Sequence, residues 1–140
     1  KEYFKISNNK IKTYIDVKGT NSLVMKTLIN FLNNEIYIDL SLIYIATFNL
    51  NQLELLVNSN LHVKTGLITA NIFTTDEIKS WINKYDFFVF NWENFNNQIY
   101  NYIHRYNKKL FLYTCHNMKE YIYINNNMRF DGIISNIYIV

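Results

Sequence analysis

Apolar runs of strand length alternate along this chain with segments of helical period, and that alternation limits the fold more than any other feature. Leu42-Ile43-Tyr44-Ile45-Ala46-Thr47-Phe48 is nearly continuous in apolar character, as are Phe87–Trp92 and Lys109–Cys115. Such runs suit strands buried on both faces, the condition of a parallel sheet covered by helices. The candidate strands are Ile11–Lys18, Leu42–Phe48, His62–Ile68, Phe87–Trp92, Lys109–Cys115 and Gly132–Asn136. An opening segment, Tyr3–Ile6, followed by Asn8-Asn9 and then Ile11, reads as a hairpin arm through an Asn-rich turn.

The intervening segments carry helical stripes. Leu23, Val24, Leu28, Phe31 and Leu32 share one face, with Thr20, Asn21 or Ser22 available as N-cap. Asn49 can cap a helix bearing Leu50, Leu53 and Val57, and Thr74 with Glu77 three residues on is a capping-box pattern. Phe95, Ile99, Tyr102, Ile103 and Tyr106 make the cleanest stripe, and a last helix starts near Asn117. Strands joined through helices by short connections imply right-handed parallel crossovers. The class expected is therefore α/β, with about six parallel strands. With no linker or shift in composition, residues 1–140 are expected to form a single domain.

Composition excludes several functions. At 49% hydrophobic residues the chain can build a core, and its single cysteine, Cys115, excludes a disulfide framework. A net charge of +3 is too small to announce nucleic acid. No apolar run approaches the roughly 20 residues of a membrane span, and the start, Lys1-Glu2-Tyr3-Phe4, is unlike a secretory signal, so a cytoplasmic or other intracellular location is expected. Asn, Ile, Lys and Tyr supply 67 of 140 residues; their A/T-rich codons point to a biased genome rather than to function.

Ligands of parallel α/β sheets meet the carboxyl ends of the strands. That rule selects Asp16 and Lys18, Phe48 and Asn49, Thr69 and Asn71, Asn91 and Trp92, Thr114 and His116, and Ser135 and Asn136. Asp16 and Lys18 stand two apart on one strand and so share a face. A carboxylate and an ammonium facing one cavity could hold a cation and a phosphate; a solvated ion pair is the plainer alternative. Among the histidines, His62 falls at the entrance of a strand and His104 lies on a helix beside Arg105. His116 alone belongs to the functional end. Cys115 sits inside a strand, as a small core residue would.

Thr47-Phe48-Asn49 followed by Leu53 resembles the Ser-Phe-(Asp/Asn) strand-to-helix turn of glycerophosphodiester phosphodiesterases. Ile15-Asp16-Val17-Lys18 resembles their Ile-Glu-x-Lys, and Leu61–Ile68 their strand ending Gly-Leu-Leu. Lys109–His116 resembles Val-x-Val-Trp-Thr-Val-Asn, and Phe130–Asn136 resembles Val-Asp-Gly-Ile-Ile-Thr-Asp. The five matches run in the family's order over residues 11–137.

The resemblance implies a TIM barrel, present here in part, and a family that hydrolyses glycerophosphodiesters with Ca²⁺ or Mg²⁺. By the same resemblance Asp16 takes the place of a metal-binding Glu and Lys18 that of the phosphate-facing Lys. Phe48, Tyr113 and His116 fall in the phosphate and substrate pocket, with Tyr113 in place of a Trp and His116 in place of an Asn. The family's His-Arg-Gly, Glu-Asn-Thr, Glu-x-Asp and His-Asp elements have no counterpart in these residues. No catalytic residue is therefore assigned, and any Ca²⁺ or Mg²⁺ held at Asp16 is expected to bind weakly. Three functions compete. The first is a degenerate phosphodiesterase-like domain, inactive alone and used in assembly, with a homodimer expected because a partial barrel leaves edges uncovered. The second is the C-terminal part of an active metal-dependent phosphodiesterase completed by other sequence. The third is nucleic-acid binding through Tyr100, Arg105, Tyr106, Lys108 and Lys109; Tyr102 and Tyr106 are needed for the apolar stripe of that helix, which weighs against it.

Overall fold

The computed structural model describes residues 2–7, 10–71 and 73–139 of the chain. Six strands appear where the apolar runs fall: β1 (Thr13–Asp16), β2 (Ile43–Thr47), β3 (Lys64–Thr69), β4 (Phe87–Asn91), β5 (Lys109–Cys115) and β6 (Gly132–Ser135). Between them run α2 (Ser22–Asn34), α3 (Leu50–Val57), α4 (Thr75–Lys79), α5 (Asn97–Arg105) and α6 (Met118–Asn127), after a short leading helix α1 (Glu2–Ser7). Short 3-10 turns at Leu40–Leu42 and Trp92–Asn94 adjoin β2 and β4. The strand order is β1-β2-β3-β4-β5-β6. Sequential order with parallel pairing is barrel topology, whereas a doubly wound sheet reverses its order at a switch point. The fold is α/β and partial TIM-barrel-like, as the alternation of the sequence implies.

Contacts divide the chain into two compact units, Lys1–Leu67 and Ile68–Val140. In the first, β1 pairs with β2 in parallel from Thr13↔Ile43 to Asp16↔Ala46. Its core joins Val17, Met25, Leu32, Ile43, Ile45, Leu56 and Val63. In the second, β4 pairs with β5 from Phe87↔Lys109 to Asn91↔Tyr113, and β5 pairs with β6 across an irregularity between Leu112 and Cys115. Phe87, Phe88, Val89 and Phe90 are all buried, so both faces of β4 are covered. All four residues of β1 and of β6 are only half-buried, as befits the two ends of the strand order.

Asparagine starts most of the longer helices. Asn21 accepts from the Leu23 amide at 2.9 Å, Asn49 from Gln52 at 3.1 Å, Asn96 from Gln98 at 3.0 Å and Asn117 from Glu120 at 3.0 Å. Each bond satisfies an amide that the helix itself cannot pair. The capping box before α4 is present in both directions: the Glu77 amide donates to Thr74 Oγ1, and the Thr74 amide donates to Glu77 Oε2 at 2.8 Å.

Two expectations are corrected. The hairpin arm is not there: Tyr3–Ile6 belongs to helix α1, and its turn residues Asn8-Asn9 lie outside the described residues. The helical form sets Phe4 on Phe31 of α2, with ring centroids 6.2 Å apart, and places the Tyr3 hydroxyl 3.2 Å from Thr13 Oγ1. Phe4 packs there against the core of the first unit, and Glu2 in the first turn complements the helix dipole. The second correction concerns α2. Its buried residues are Met25 and Leu32, with Leu28, Ile29 and Phe31 packed against the core beside them, while Leu23 and Val24 are 62% and 48% exposed. Of the expected stripe, Leu28, Phe31 and Leu32 pack on the core and Leu23 and Val24 do not; Met25 and Ile29 complete the buried face.

Candidate functional site

In the first unit the carboxyl ends of β1 and β2 bring together three of the residues singled out by sequence. Asp16 is the last residue of β1, and its Oδ2 lies 2.5 Å from Lys18 Nζ. The same ammonium stands 5.4 Å from the ring centroid of Phe48, within cation–π range. The Lys18 side chain is 71% exposed and that of Asp16 only 27%. Asp16 Oδ1 is enclosed and meets no hydrogen-bond donor among the described residues. Beyond Lys18 the chain turns at Gly19, whose φ of +81° is a conformation side chains resist.

The Phe48 turn is fixed by a polar network that sequence reasoning missed. Thr47 and Gln52 are fully buried, and Thr47 Oγ1 donates to Gln52 Oε1 at 2.8 Å. Gln52 Nε2 donates to the Asn21 carbonyl at 3.0 Å, and the Asn49 amide donates to Thr47 Oγ1 at 3.1 Å. One glutamine thus ties the end of β2 to the start of α2. Nothing marks it in sequence, since a Gln in the first turn of a helix is usually solvated.

In the second unit the carboxyl end of β5 carries the other two. Tyr113 is half-buried within β5, opposite Asn91 of β4, and Trp92 Nε1 donates to the Thr114 carbonyl at 3.2 Å. His116 lies just beyond the strand and is exposed, with Nδ1 3.0 Å from Asn136 Nδ2. The two groups stand within hydrogen-bond distance, the donor being set by the tautomer of the ring. The His116 amide donates to Glu120 Oε2 at 2.7 Å, which pins the loop to the first turn of α6. Asn136 belongs to the carboxyl-end set that the sequence selects, while its bond to His116 joins segments 20 residues apart and has no local sequence signal.

The other reactive groups stand elsewhere. His62 is exposed ahead of β3, at its amino end. His104 lies in the last turn of α5, stacked on Tyr100 and 3.8 Å from Asp131 Oδ1. That position adjoins the amino end of β5, because Asp131 Oδ2 accepts from the Leu110 amide at 2.8 Å. His104 and His116 thus lie toward opposite ends of a seven-residue strand, roughly 20 Å apart at 3.3 Å per residue. Cys115 is fully buried with its Sγ on the Asn117 carbonyl, a core residue as its place in the sequence implies.

The divalent cation implied by the resemblance is not matched by the donors present. Ca²⁺ takes six to eight oxygens, and Mg²⁺ an octahedral set. Asp16 offers one unengaged oxygen, beside an ammonium that repels a cation. Among the described residues no three His, Cys, Asp or Glu side chains converge to hold a metal ion.

No family model and no curated protein matches the sequence. The fold has clear counterparts among solved structures, three phosphodiesterases among them. A protein of Silicibacter pomeroyi assigned as a glycerophosphoryl diester phosphodiesterase superposes with a TM-score of 0.71 over 86% of this chain and 45% of its own, at 8% identity. An Oleispira antarctica phosphodiesterase, solved with its product sn-glycerol-3-phosphate, gives 0.67 over 81% of this chain and 45% of its own, at 14% identity. A glycerophosphodiester phosphodiesterase of Parabacteroides distasonis gives 0.62 over 88% and 51%, at 8% identity. At such identities the likeness is one of fold. The chain spans about half the length of each of these structures.

Proposed function

We propose that this chain is a glycerophosphodiester phosphodiesterase-like partial barrel, catalytically inactive alone, that works by assembling with protein. The observation that carries the reading is the scatter of the three histidines. Phosphodiester cleavage needs one group to accept a proton from the nucleophile and another to protonate the leaving oxygen, each worth roughly 10²–10⁴-fold. Among the described residues no three His, Cys, Asp or Glu side chains gather at Asp16 or at His116, and His104 lies toward the other end of β5 from His116. Half-buried end strands and exposed apolar residues, Leu23, Val24 and Tyr138 among them, support a role in association.

The test is hydrolysis of glycerophosphocholine by the purified chain with Ca²⁺ or Mg²⁺. Release of glycerol phosphate at the rate of the protein-free control is expected. Cation-dependent turnover that disappears in Asp16→Ala would overturn the reading.

One observation favours a second reading. The enclosed, donor-free Oδ1 of Asp16, with Lys18 and Phe48 beside it, is what one part of a phosphodiester site would hold. In that reading Asp16, Lys18, Phe48, Tyr113 and His116 serve an active enzyme whose proton-transfer groups and remaining carboxylates come from other residues. A His-Arg-Gly strand followed by Glu-Asn-Thr on the same polypeptide would decide for it.

A further inference from the structure

We propose that the cleft between the outer face of α5 and the α6–β6 connection is a binding site for a small phosphate monoester, held through Arg105 and Arg129. The inference goes beyond the assembly reading and does not depend on it. Tyr100, Asn101, His104, Arg105 and Arg129 line an open cleft of about 410 Å³ in the second unit. That volume falls within the roughly 300–1,000 Å³ of small-ligand sites. The first four residues are spaced i, i+1, i+4 and i+5 on α5, so successive turns present them on one face. The cleft lies toward the amino end of β5, away from Tyr113 and His116, because Asp131 beside His104 accepts from the Leu110 amide near the start of that strand.

Three observations select the ligand. First, the Arg129 guanidinium reaches the cleft from another segment and is fixed there. Asn97 Oδ1 accepts from the Arg129 amide at 2.9 Å, and Asn97 Nδ2 donates to the Asn127 carbonyl at 3.1 Å, which holds the connection against α5. One turn on, Asn101 Oδ1 accepts from Arg129 Nη1 at 3.3 Å. The other guanidinium N–H groups of Arg129 meet no acceptor among the described residues.

Second, the charges of the cleft do not balance. The last turn of a helix favours cations, which accounts for His104 and Arg105 but not for a second guanidinium brought in from outside α5. Among the described residues neither Arg105 nor Arg129 has a carboxylate within ion-pair distance; the nearby Asp131 faces His104 at 3.8 Å and is engaged by the Leu110 amide. Two guanidiniums that share a cleft repel each other until an anion joins them. Their planar forks match phosphate oxygens in pairs, and a phosphate has oxygens enough for both, whereas a carboxylate answers one fork. Third, the rings of Tyr100 and His104 stack with centroids 5.0 Å apart, so the cleft offers ring surface beside its charges. An organic ester uses that surface and bare phosphate does not.

Nuclear magnetic resonance titration of the isotope-labelled chain at fixed ionic strength tests the proposal, with phenyl phosphate, inorganic phosphate and benzoate as probes. Phenyl phosphate is expected to give saturable shifts centred on Asn101, His104, Arg105 and Arg129, with inorganic phosphate and benzoate each about 10-fold weaker. Arg105→Gln and Arg129→Gln are each expected to weaken phenyl phosphate about 10-fold, while Lys119→Gln, on α6 and outside the cleft, has no effect. Both arginines are exposed, so the variants keep the fold, and an otherwise unchanged amide spectrum verifies it. Should a variant fail to fold, the location of the shifts in the wild type decides. The absence of saturable shifts, or shifts centred on Lys18 or His116, would overturn the site. Benzoate or inorganic phosphate binding as tightly as phenyl phosphate would overturn the phosphate ester as its ligand. A short oligothymidylate that binds the same residues more tightly would overturn the small ligand in favour of a nucleic-acid strand.

Discussion

Replacing Gln52 separates the contribution of its hydrogen bonds from that of its volume. Its side chain is fully buried, accepts from Thr47 Oγ1 and donates to the Asn21 carbonyl. The two partners fare differently when it is lost. The Asn21 carbonyl still accepts from the Val24 amide at 3.2 Å, whereas the buried Thr47 hydroxyl loses its acceptor. Gln52→Met nearly preserves volume, so its cost is that of one orphaned hydroxyl and one lost bond, about 1–3 kcal/mol. Gln52→Ala adds a cavity, bringing the total to about 3–5 kcal/mol. Gln52→Glu keeps an acceptor for Thr47 but turns an oxygen toward the Asn21 carbonyl, and at neutral pH it is expected to cost at least as much as Gln52→Ala, because a buried carboxylate there has no partner. Urea unfolding followed by far-ultraviolet circular dichroism reads all three, because the tryptophans, Trp81 and Trp92, lie in the other unit. A Met variant within about 0.5 kcal/mol of wild type would refute the claim that this network fixes the Phe48 turn.

The capping box before α4 carries a pH signature. The Thr74 amide and hydroxyl hold the Glu77 carboxyl below its ordinary value of 4.5. A depressed carboxyl contributes stability that is present above 4.5 and lost as the pH falls through the lowered value. Thr74→Ala is expected to cost about 1 kcal/mol at neutral pH as a lost N-cap and to flatten the acid fall of melting temperature only in part, because the larger cause, the Thr74 amide, remains; Glu77→Gln is expected to remove that acid dependence, as a thermal scan against pH would show. After α5 the chain turns at Asn107 with φ of +55°. There Asn107→Ala is expected to lose about 1 kcal/mol in urea unfolding while Asn107→Gly stays within about 0.5 kcal/mol; equal losses would exclude backbone strain as the cause.

The strands were legible because burial on both faces writes itself as an unbroken apolar run. Phe87–Phe90 is buried throughout, and no helix packed on one side would need four such residues in a row. The caps were legible for a similar reason, since one side-chain oxygen must answer one unpaired amide at a fixed offset. Periodicity failed where it did not settle the buried face. In α2 Leu23 and Val24 share helical spacing with Leu28, Phe31 and Leu32, yet they stay exposed while Met25 and Ile29 complete the buried face, and only the position of the sheet decides this. It failed again at Tyr3–Ile6, where four residues are too few to tell a strand from a helical turn. In the site, Asp16 and Lys18 meet at the two-residue spacing that the sequence offers, although β1 ends at Asp16 and Lys18 lies beyond it rather than within the strand as expected. The bond of His116 to Asn136 and the role of Gln52 depend on contacts between segments far apart in sequence, which no local pattern encodes.

Asparagine shows how a compositional bias and a structural demand can coincide. The chain has three glycines and no proline, the two residues that ordinarily start turns and stop helices. Asparagine takes over much of that work. Its short amide caps α2, α3, α5 and α6, and Asn60 and Asn107 adopt the left-handed conformation after α3 and α5 that is usually left to glycine. Of the common residues, Asn and Asp tolerate that conformation best, because their side chains bond to nearby backbone. A codon bias toward asparagine therefore costs this fold little, provided the residue falls at helix ends rather than within strands. The described strands bear this out: Asn91, the last residue of β4, is the one asparagine in any of the six.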